Sequence, residues 1–392
     1  MEVTKYHILS AFIVCKLLAT SFTLYIFDQY SPLVDSKLYQ QELYFENTTA
    51  FRTLFIQYIA SITNFLTSPV ISHYIFSIFS SLGILWYVAT SNVRWHILLI
   101  LLLPSSMIWT SVIGKEAIFY LCFSLLIINW NIYLTRYLKI TNWLIIFSSF
   151  AICLILRPHY TVCLLWLFLG VYVIKNFKNY KVILFIFYTL VISILLLIIF
   201  FGNYIDNYFS TELFDIRWKA FTSINMEGRA SRFFSLGFGD ILKQVEISNG
   251  QIINLPEEKT REIIMEKFDS YFFTGLFFGI IGPFINEIIE RIEFIPFFIE
   301  GIIILFLPLA FLIYLKFNHS ISNKNIYYIN YIYGVLPTIL LLMITHAFFG
   351  ILNPGTAIRW RVNFELIFYF TPLIVYFNLK SSKNEKNYSL SS

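Results

Sequence analysis

Two carboxylates and one histidine lie where the sequence changes from apolar to polar, in positions suited to proton transfer. Asp28 directly follows the apolar run 6–27, and Asp35 comes seven residues later. His159 belongs to an Arg-Pro-His-Tyr sequence between two further apolar runs. Carboxylates and imidazoles can accept a proton from an attacking hydroxyl group. Asp28, Asp35 and His159 are therefore the candidate catalytic residues, although a solvated charge or a helix cap would also explain either aspartate.

Several lysines and arginines next to apolar runs have the chemistry needed to bind phosphate groups. Arginine can meet a phosphate through two parallel N–H···O bonds, and lysine supplies a compact charge. Arg359 and Arg361 flank Trp360, where aliphatic residues would serve for a purely structural connection. Extension to lipid headgroups is the alternative for Arg157 and for the arginines of EGRASRFFS. The candidate diphosphate ligands are Lys115, Arg157, Arg229, Arg232, Arg359 and Arg361.

Neither the cysteines nor the net charge indicates a metal centre or a nucleic-acid partner. The four cysteines all lie in apolar runs and lack metal-ligand spacing, as is typical of small core side chains. The net charge of +5 is distributed over the loops. We therefore expect no nucleic-acid partner, and the loop charges instead carry information about orientation.

The composition indicates that the elements that position these residues are embedded in a membrane. The chain is 58% hydrophobic and 13% charged, whereas a soluble domain has roughly 25% charged residues. Several nearly uncharged runs reach the roughly 20 residues that cross a bilayer core as a helix. The sequence predicts an all-α, polytopic membrane protein with about ten spans (nine to twelve). The predicted spans are 7–27, 70–90, 95–110, 117–134, 142–157, 160–175, 182–202, 296–315, 326–347 and 362–379; segments 53–66 and 269–289 have features of interfacial or re-entrant elements.

The distribution of lysine and arginine over the short loops predicts the orientation. If the N-terminus is cytoplasmic, the short loops on that side carry most of these residues and the short loops on the other side carry few. Both termini are then cytoplasmic. The polar segment 203–269, which holds 19 Asp, Glu, Lys and Arg residues, is then external, between spans seven and eight. We predict a single transmembrane domain over 1–380 and a disordered cytoplasmic tail over 381–392.

Six sequence features occur in an order that is typical of one class of enzyme. They are an acidic first outer loop, Pro-Ser-x-x-x-Trp-x-Ser followed by Gly-Lys-Glu (104–116), an outer Arg-Pro (157–158), a long outer loop, Gly-Pro-Phe (282–284), and Gly-Thr-Ala-x-Arg-x-Arg (355–361). The pattern resembles bacterial membrane glycosyltransferases of the broad C-type class. It is similar in particular to O-antigen and capsule repeat-unit polymerases, and it covers most of the chain. Such polymerases often have two large outer loops, whereas one is obvious here.

The resemblance implies polymerisation of glycan on the outer leaflet of the bacterial inner membrane. A polymerase of this kind transfers a growing chain from its polyprenyl (undecaprenyl) diphosphate to a hydroxyl of the next lipid-linked repeat unit, for O-antigen of lipopolysaccharide or for capsule. The implied partners are polyprenyl-diphosphate-linked oligosaccharides, membrane lipids, a chain-length regulator and a flippase. No cofactor is expected. A divalent metal stays open, but Asp28 and Asp35 are too far apart for the acidic pair of metal-using C-type transferases.

Two other functions fit the same composition. A C-type glycosyltransferase would add one sugar from a polyprenyl-phosphate donor on a similar scaffold. A lipid-linked oligosaccharide flippase belongs to another class and would show repeated halves, short even loops and charges along a central cavity. Lys16 is the clear mid-span charge in this sequence, and the loops are uneven. The polymerase is therefore the favoured prediction.

Overall fold

The computed structural model describes most of the apolar sequence and little of the long polar segment. The described residues are 4–30, 33–40, 51–91, 93, 95–209, 247–248, 251–252, 272–317, 326–351 and 354–390. Their contacts divide the chain into two compact units. Unit 1 is Met1–Lys175, Phe306–Thr338 and Val362–Ser392, and unit 2 is Asn176–Leu305 and Ile339–Arg361.

The regular secondary structure of the described residues is helical apart from one pair of two-residue strands. The helices up to the polar segment are α1 Lys5–Phe22, α2 Asp28–Tyr30, α3 Val34–Gln40, α4 Phe51–Leu66, α5 Pro69–Thr90, α6 Pro104–Trp109, α7 Lys115–Thr135, α8 Ile140–Leu156, α9 Pro158–Asn176 and α10 Tyr180–Phe209. The antiparallel strands are β1 Ile247–Ser248 and β2 Gln251–Ile252. The later helices are α11 Phe272–Ile281, α12 Ile285–Glu290, α13 Ile295–Phe317, α14 Ile326–Asn330, α15 Leu336–Ile351, α16 Pro354–Arg361 and α17 Leu366–Leu390.

Nine helical segments in the described part of the chain are long and apolar enough to cross a membrane. Helix α8 is also apolar but shorter, with 17 residues. These findings confirm the predicted all-α, polytopic membrane protein. They do not test its orientation, which stays a prediction. The segments are Lys5–Tyr30, Pro69–Thr90, Lys115–Thr135, Pro158–Asn176, Tyr180–Leu197, Phe272–Glu290, Ile292–Phe317, Ile326–Ala347 and Ala357–Lys380.

One predicted span is wrong, and one segment that was left open is now described. Segment 95–110 is not one α-helix, because a 3-10 helix over Trp95–Leu102 precedes α6. Pro104 is the first residue of α6, where its missing N–H costs nothing, but its ring cannot continue a preceding helix. Segment 269–289 contains α11 and α12, which a turn at Gly282 separates, and together they are apolar enough to span.

Hydroxyl side chains satisfy backbone carbonyls around the broken helix. The hydroxyls of Ser106 and Thr110 donate to the carbonyls of Leu103 and Ser106. Lys16 of α1 is 3% exposed and donates from Nζ to Thr110 Oγ1 at 2.6 Å and to Ser111 Oγ at 3.2 Å. The mid-span lysine therefore points into unit 1, onto the break before α7, rather than towards lipid.

Helix α7 forms the centre of unit 1 and packs against α5, α8 and α17. A Cβ on Gly83 of α5 would lie 1.9 Å from Ser124 Oγ of α7, so the absence of a side chain lets these two helices approach closely. Trp130 is completely buried and donates from Nε1 to Asn330 Oδ1 at 3.1 Å. Such hydrogen bonds between helices replace those that water cannot supply inside a bilayer.

The structure describes little of the predicted external loop over 203–269 and most of the predicted tail over 381–392. Helix α10 continues to Phe209, past the predicted boundary at 203. The short strand pair β1–β2 is the next described part of the polar segment. Helix α17 extends to Leu390, through most of the segment for which the sequence predicts disorder.

Candidate functional site

Asp28 stands where the first membrane-spanning helix meets α3. Its Oδ2 lies 2.7 Å from Lys37 Nζ, and its Oδ1 accepts a hydrogen bond from the Leu33 backbone N–H at 2.7 Å. The Asp28 side chain is 21% exposed, whereas that of Lys37 is 61% exposed. These contacts hold the start of α3 against the end of the helix and stabilise the carboxylate form of Asp28. The Asp28 carboxylate stays partly accessible to a second molecule.

Lys115 begins α7 and reaches the two short helices that precede α5. Its Nζ donates to Thr53 Oγ1 in α4 at 3.0 Å and lies 5.5 Å from the ring centre of Tyr39 in α3. Tyr39 is almost fully buried, and Lys115 is half-buried. A cation above an aromatic ring is attracted to the negative face of the ring. Lys115 therefore fastens α3 and α4 to the N-terminus of α7.

Arg157 and Glu116 form a buried ion pair. Arg157 Nη2 donates to Glu116 Oε1 at 2.9 Å, and the two side chains are 4% and 2% exposed. Arg157 is the one residue between α8 and α9, because Pro158 starts the next helix directly. Its side chain therefore turns into unit 1 rather than towards headgroups. Breaking a buried pair of this kind is costly, because the partner that remains keeps an uncompensated charge.

Arg52 is a further cation near this pair, and sequence reasoning did not select it. It lies in the exposed first turn of α4, which packs against α8. Loss of part of its water shell, and then the positive charge of Arg157, lower the pKa of the Arg52 guanidinium. We refer to Arg52, Lys115, Arg157 and Glu116 as the cationic cluster.

Buried polar contacts hold the segment before α7 in place beside the cationic cluster. His73 Nδ1 accepts the backbone N–H of Ile113 at 3.1 Å, and His73 Nε2 lies 2.8 Å from Gln40 Nε2. Glu365 is completely buried and accepts a hydrogen bond from Ser105 Oγ at 2.9 Å. A charged residue so close to the start of α17 was a signal that could have identified Glu365 from the sequence.

The other predicted catalytic residues have different surroundings. Asp35 lies in α3, the helix that also carries Lys37 and Tyr39. His159 is half-buried in the first turn of α9, with its ring centre 4.1 Å from that of Tyr160.

Arg361 belongs to unit 2 and is used inside it. Its Nη2 lies 2.6 Å from Glu300 Oε2, with side-chain exposures of 0% and 1%. Its Nη1 donates to the carbonyl of Ile280 at 2.5 Å, at the end of α11. Gly301 makes room for this contact, because a Cβ there would lie 2.3 Å from the Ile281 carbonyl oxygen. The guanidinium thus joins α11, α13 and α16, and this role accounts for Arg361 without a diphosphate.

The remaining predicted diphosphate ligands are Arg359, Arg229 and Arg232. Arg359 is half-buried in α16 of unit 2. Arg229 and Arg232 lie outside the described residues. Among the predicted cations that the structure describes, Arg157 pairs with Glu116, which follows Lys115 directly in α7, and Arg52 belongs to the same unit.

Within the part of the chain that the structure describes, the cationic cluster does not include a set of side chains that could bind a metal ion. Among those residues no group of three or more His, Cys, Asp or Glu side chains could hold a metal ion. What the cluster offers is positive charge that is held in place by hydrogen bonds and ring contacts, which suits a phosphate-bearing ligand. Comparison with protein-family models, curated proteins and solved structures finds no match to this chain.

Proposed function

We propose that this membrane protein is a glycosyltransferase that polymerises polyprenyl-diphosphate-linked repeat units on the outer leaflet. The observation that carries the proposal is the cationic cluster at the ends of apolar helices. Its lysine and arginine side chains have the chemistry that binds phosphate groups, and its position beside membrane-spanning segments suits a headgroup whose tail stays in the bilayer. The order of sequence features that resembles repeat-unit polymerases supports the same reaction.

The reaction requires charge stabilisation and a proton acceptor. The oxygen of the acceptor hydroxyl attacks the anomeric carbon of the growing chain, and the bond from that carbon to the diphosphate oxygen breaks. The diphosphate leaves with the electron pair, and the half-buried Lys115 and the exposed Arg52 are the first candidates to stabilise its negative charge. The hydroxyl proton passes to a carboxylate, for which Asp28 is the first candidate because it is partly exposed.

The test of the function is the glycan made by cells that lack this protein. Loss of the polymer ladder, with one complete lipid-linked repeat unit accumulating, is the expected result. An incomplete repeat unit would indicate a transferase that adds a single sugar instead. Complete units that remain on the cytoplasmic face would indicate a flippase. An unchanged ladder would contradict all three.

Replacing Lys115 by methionine is expected to shorten the polymer without removing the protein. Its hydrogen bond to Thr53 and its contact with the Tyr39 ring are each worth about 1 kcal/mol, so membrane protein quantity is measured beside the polymer. Loss of one donor to a developing charge typically lowers a rate by about 10²–10³. Ladder length is compared with membrane protein quantity. The matched control is Lys139→Met, an exposed lysine before α8; an equal effect of both changes would contradict a phosphate role for Lys115.

Replacing Asp28 by asparagine tests whether its carboxylate is catalytic or only connects α3 to the end of the first helix. The amide oxygen can still accept the Leu33 N–H, and the lost ion pair with the exposed Lys37 is worth at most about 1 kcal/mol. Protein quantity should therefore stay normal. Loss of a general base lowers a rate by about 10²–10⁴, so the ladder should disappear. A normal ladder from Asp28→Asn, with loss from Asp35→Asn or His159→Gln, would move the base to that other residue.

A further inference from the structure

Residues 110–114 connect α6 to α7 without forming a regular helix, and we refer to them as the connecting segment. The segment belongs to unit 1, and its residues from Thr110 to Ile113 are at most 3% exposed. The next residue of the chain is Lys115, the first candidate to bind the diphosphate. The connecting segment therefore sets where the side chain of Lys115 begins.

Lys16 of α1 holds the connecting segment from one side. Its Nζ donates to Thr110 Oγ1 at 2.6 Å and to Ser111 Oγ at 3.2 Å. These two hydroxyls donate in turn to the backbone carbonyls of Ser106 and Met107. Because a hydroxyl group has only one proton, both oxygens are left as acceptors for the lysine. The hydrogen bonds around Lys16 Nζ therefore have one consistent direction.

Lys16 is buried in the membrane without a carboxylate to compensate its charge. It is 3% exposed, and none of the ion pairs among the described residues includes it. A buried ammonium group of this kind costs free energy, and an apolar side chain of similar length would pack without that cost. Ionisable residues inside a membrane are rare and typically functional. The cost indicates that Lys16 serves the contact with the connecting segment rather than stability.

His73 of α5 holds the same segment from a second helix. The residue is 5% exposed, and its Nδ1 accepts the backbone N–H of Ile113 at 3.1 Å. Because a backbone N–H can only donate, Nδ1 is the unprotonated nitrogen of the ring. The bond also gives a partner to a buried backbone donor that lies outside a helix. Two side chains from two different helices thus hold one short segment.

We propose that Lys16 and His73 are positioning residues, which fix the connecting segment and thereby place Lys115 for the diphosphate. The role of Lys115 rests on the proposed function, whereas the fixing of the segment does not. The contacts of Lys16 and His73 lie two to five residues before Lys115, so a shift of the segment moves the start of its side chain. The contacts of Lys115 with Thr53 and Tyr39 then direct its Nζ.

Thiol labelling tests whether the two side chains fix the segment. Val112, which is 3% exposed, is replaced by cysteine, and its rate of labelling by N-ethylmaleimide is measured in purified protein. The same proteins with Val112 retained give the labelling of the native cysteines. Adding Lys16→Met or His73→Leu should raise the rate about tenfold, because each removes hydrogen bonds that keep the segment buried. The control is Lys5→Met, an exposed lysine of α1, which should leave the rate unchanged; equal rates in all these proteins would overturn the proposal.

Asparagine and glutamine at position 73 separate the hydrogen bond to Ile113 from packing. Oδ1 of asparagine is attached to Cγ, as Nδ1 of histidine is, so His73→Asn can still accept the Ile113 N–H. The amide of His73→Gln lies one atom further out. Labelling of Val112→Cys and polymer per protein molecule, measured without that cysteine, should stay near the parent values with His73→Asn. Both should change about tenfold with His73→Gln; the same result for the two variants would overturn the role of Nδ1.

Lys16→Met alone separates a positioning lysine from a structural one. Methionine keeps a long unbranched side chain and removes the buried charge, so the midpoint of thermal unfolding in detergent should not fall. Polymer per protein molecule should nevertheless fall about tenfold, because Lys115 is misplaced. A lower midpoint with unchanged polymer per molecule would refute the proposal. Faster labelling of Val112→Cys with Lys16→Met, together with an unchanged ladder in cells without the protein, would keep the fixing of the segment and refute the polymerase.

Discussion

Replacing Arg361 by methionine is expected to remove most of the folded protein from the membrane. Arg361 and Glu300 are completely buried and 2.6 Å apart. Loss of one member of such a pair costs about 3–5 kcal/mol, because the other keeps an uncompensated buried charge. Since proteins are stable by only about 5–15 kcal/mol, this is a large fraction of the total. The measurements are membrane protein quantity and the midpoint of thermal unfolding in detergent.

Two further variants at this pair separate charge from geometry. Arg361→Lys keeps the charge but cannot reproduce the planar fork that reaches both Glu300 and the Ile280 carbonyl, so an intermediate loss is expected. The double change Arg361→Met with Glu300→Met removes both charges and should recover part of the stability. Normal quantity and an unchanged midpoint for Arg361→Met alone would contradict the structural role.

Replacing Arg157 by methionine is expected to have an effect of similar size in unit 1. Its pair with Glu116 is 2.9 Å long, and both side chains are nearly inaccessible. We expect a loss of about 3–5 kcal/mol, measured as protein quantity and thermal midpoint. The double change with Glu116→Met should recover folded protein, because no buried charge then remains without its partner.

The same double variant separates structure from function at the cationic cluster. If Arg157 also stabilises the diphosphate, recovered protein should still fail to make a ladder. Glu116→Gln alone keeps Arg157 and should retain more polymer per molecule of protein than the double variant. A full ladder from the double variant would show that Arg157 serves only the fold, and would leave Lys115 and Arg52 as the cations for the diphosphate.

The sequence by itself determined the class of the protein and the course of its helices. A bilayer acts on each run of roughly 20 residues separately, because every apolar run must satisfy its own backbone groups as a helix. Local composition therefore predicts α5, α7 and α9 to within a few residues, whereas Phe272–Glu290 was not among the predicted spans. The span predicted over 95–110 failed because Pro104 starts a new helix there, an effect of one residue that composition does not show.

Only the tertiary structure decided which charges meet. Glu116 and Arg157 are 41 residues apart, and Glu300 and Arg361 are 61 apart. Nothing local to Arg157 or Arg361 distinguishes a ligand-binding arginine from one that is buried in an ion pair. That difference depends on helix packing, which sets whether a long side chain meets a carboxylate or an open surface. The same packing placed Arg52 near Arg157 and brought Lys16 and His73 to the connecting segment before α7.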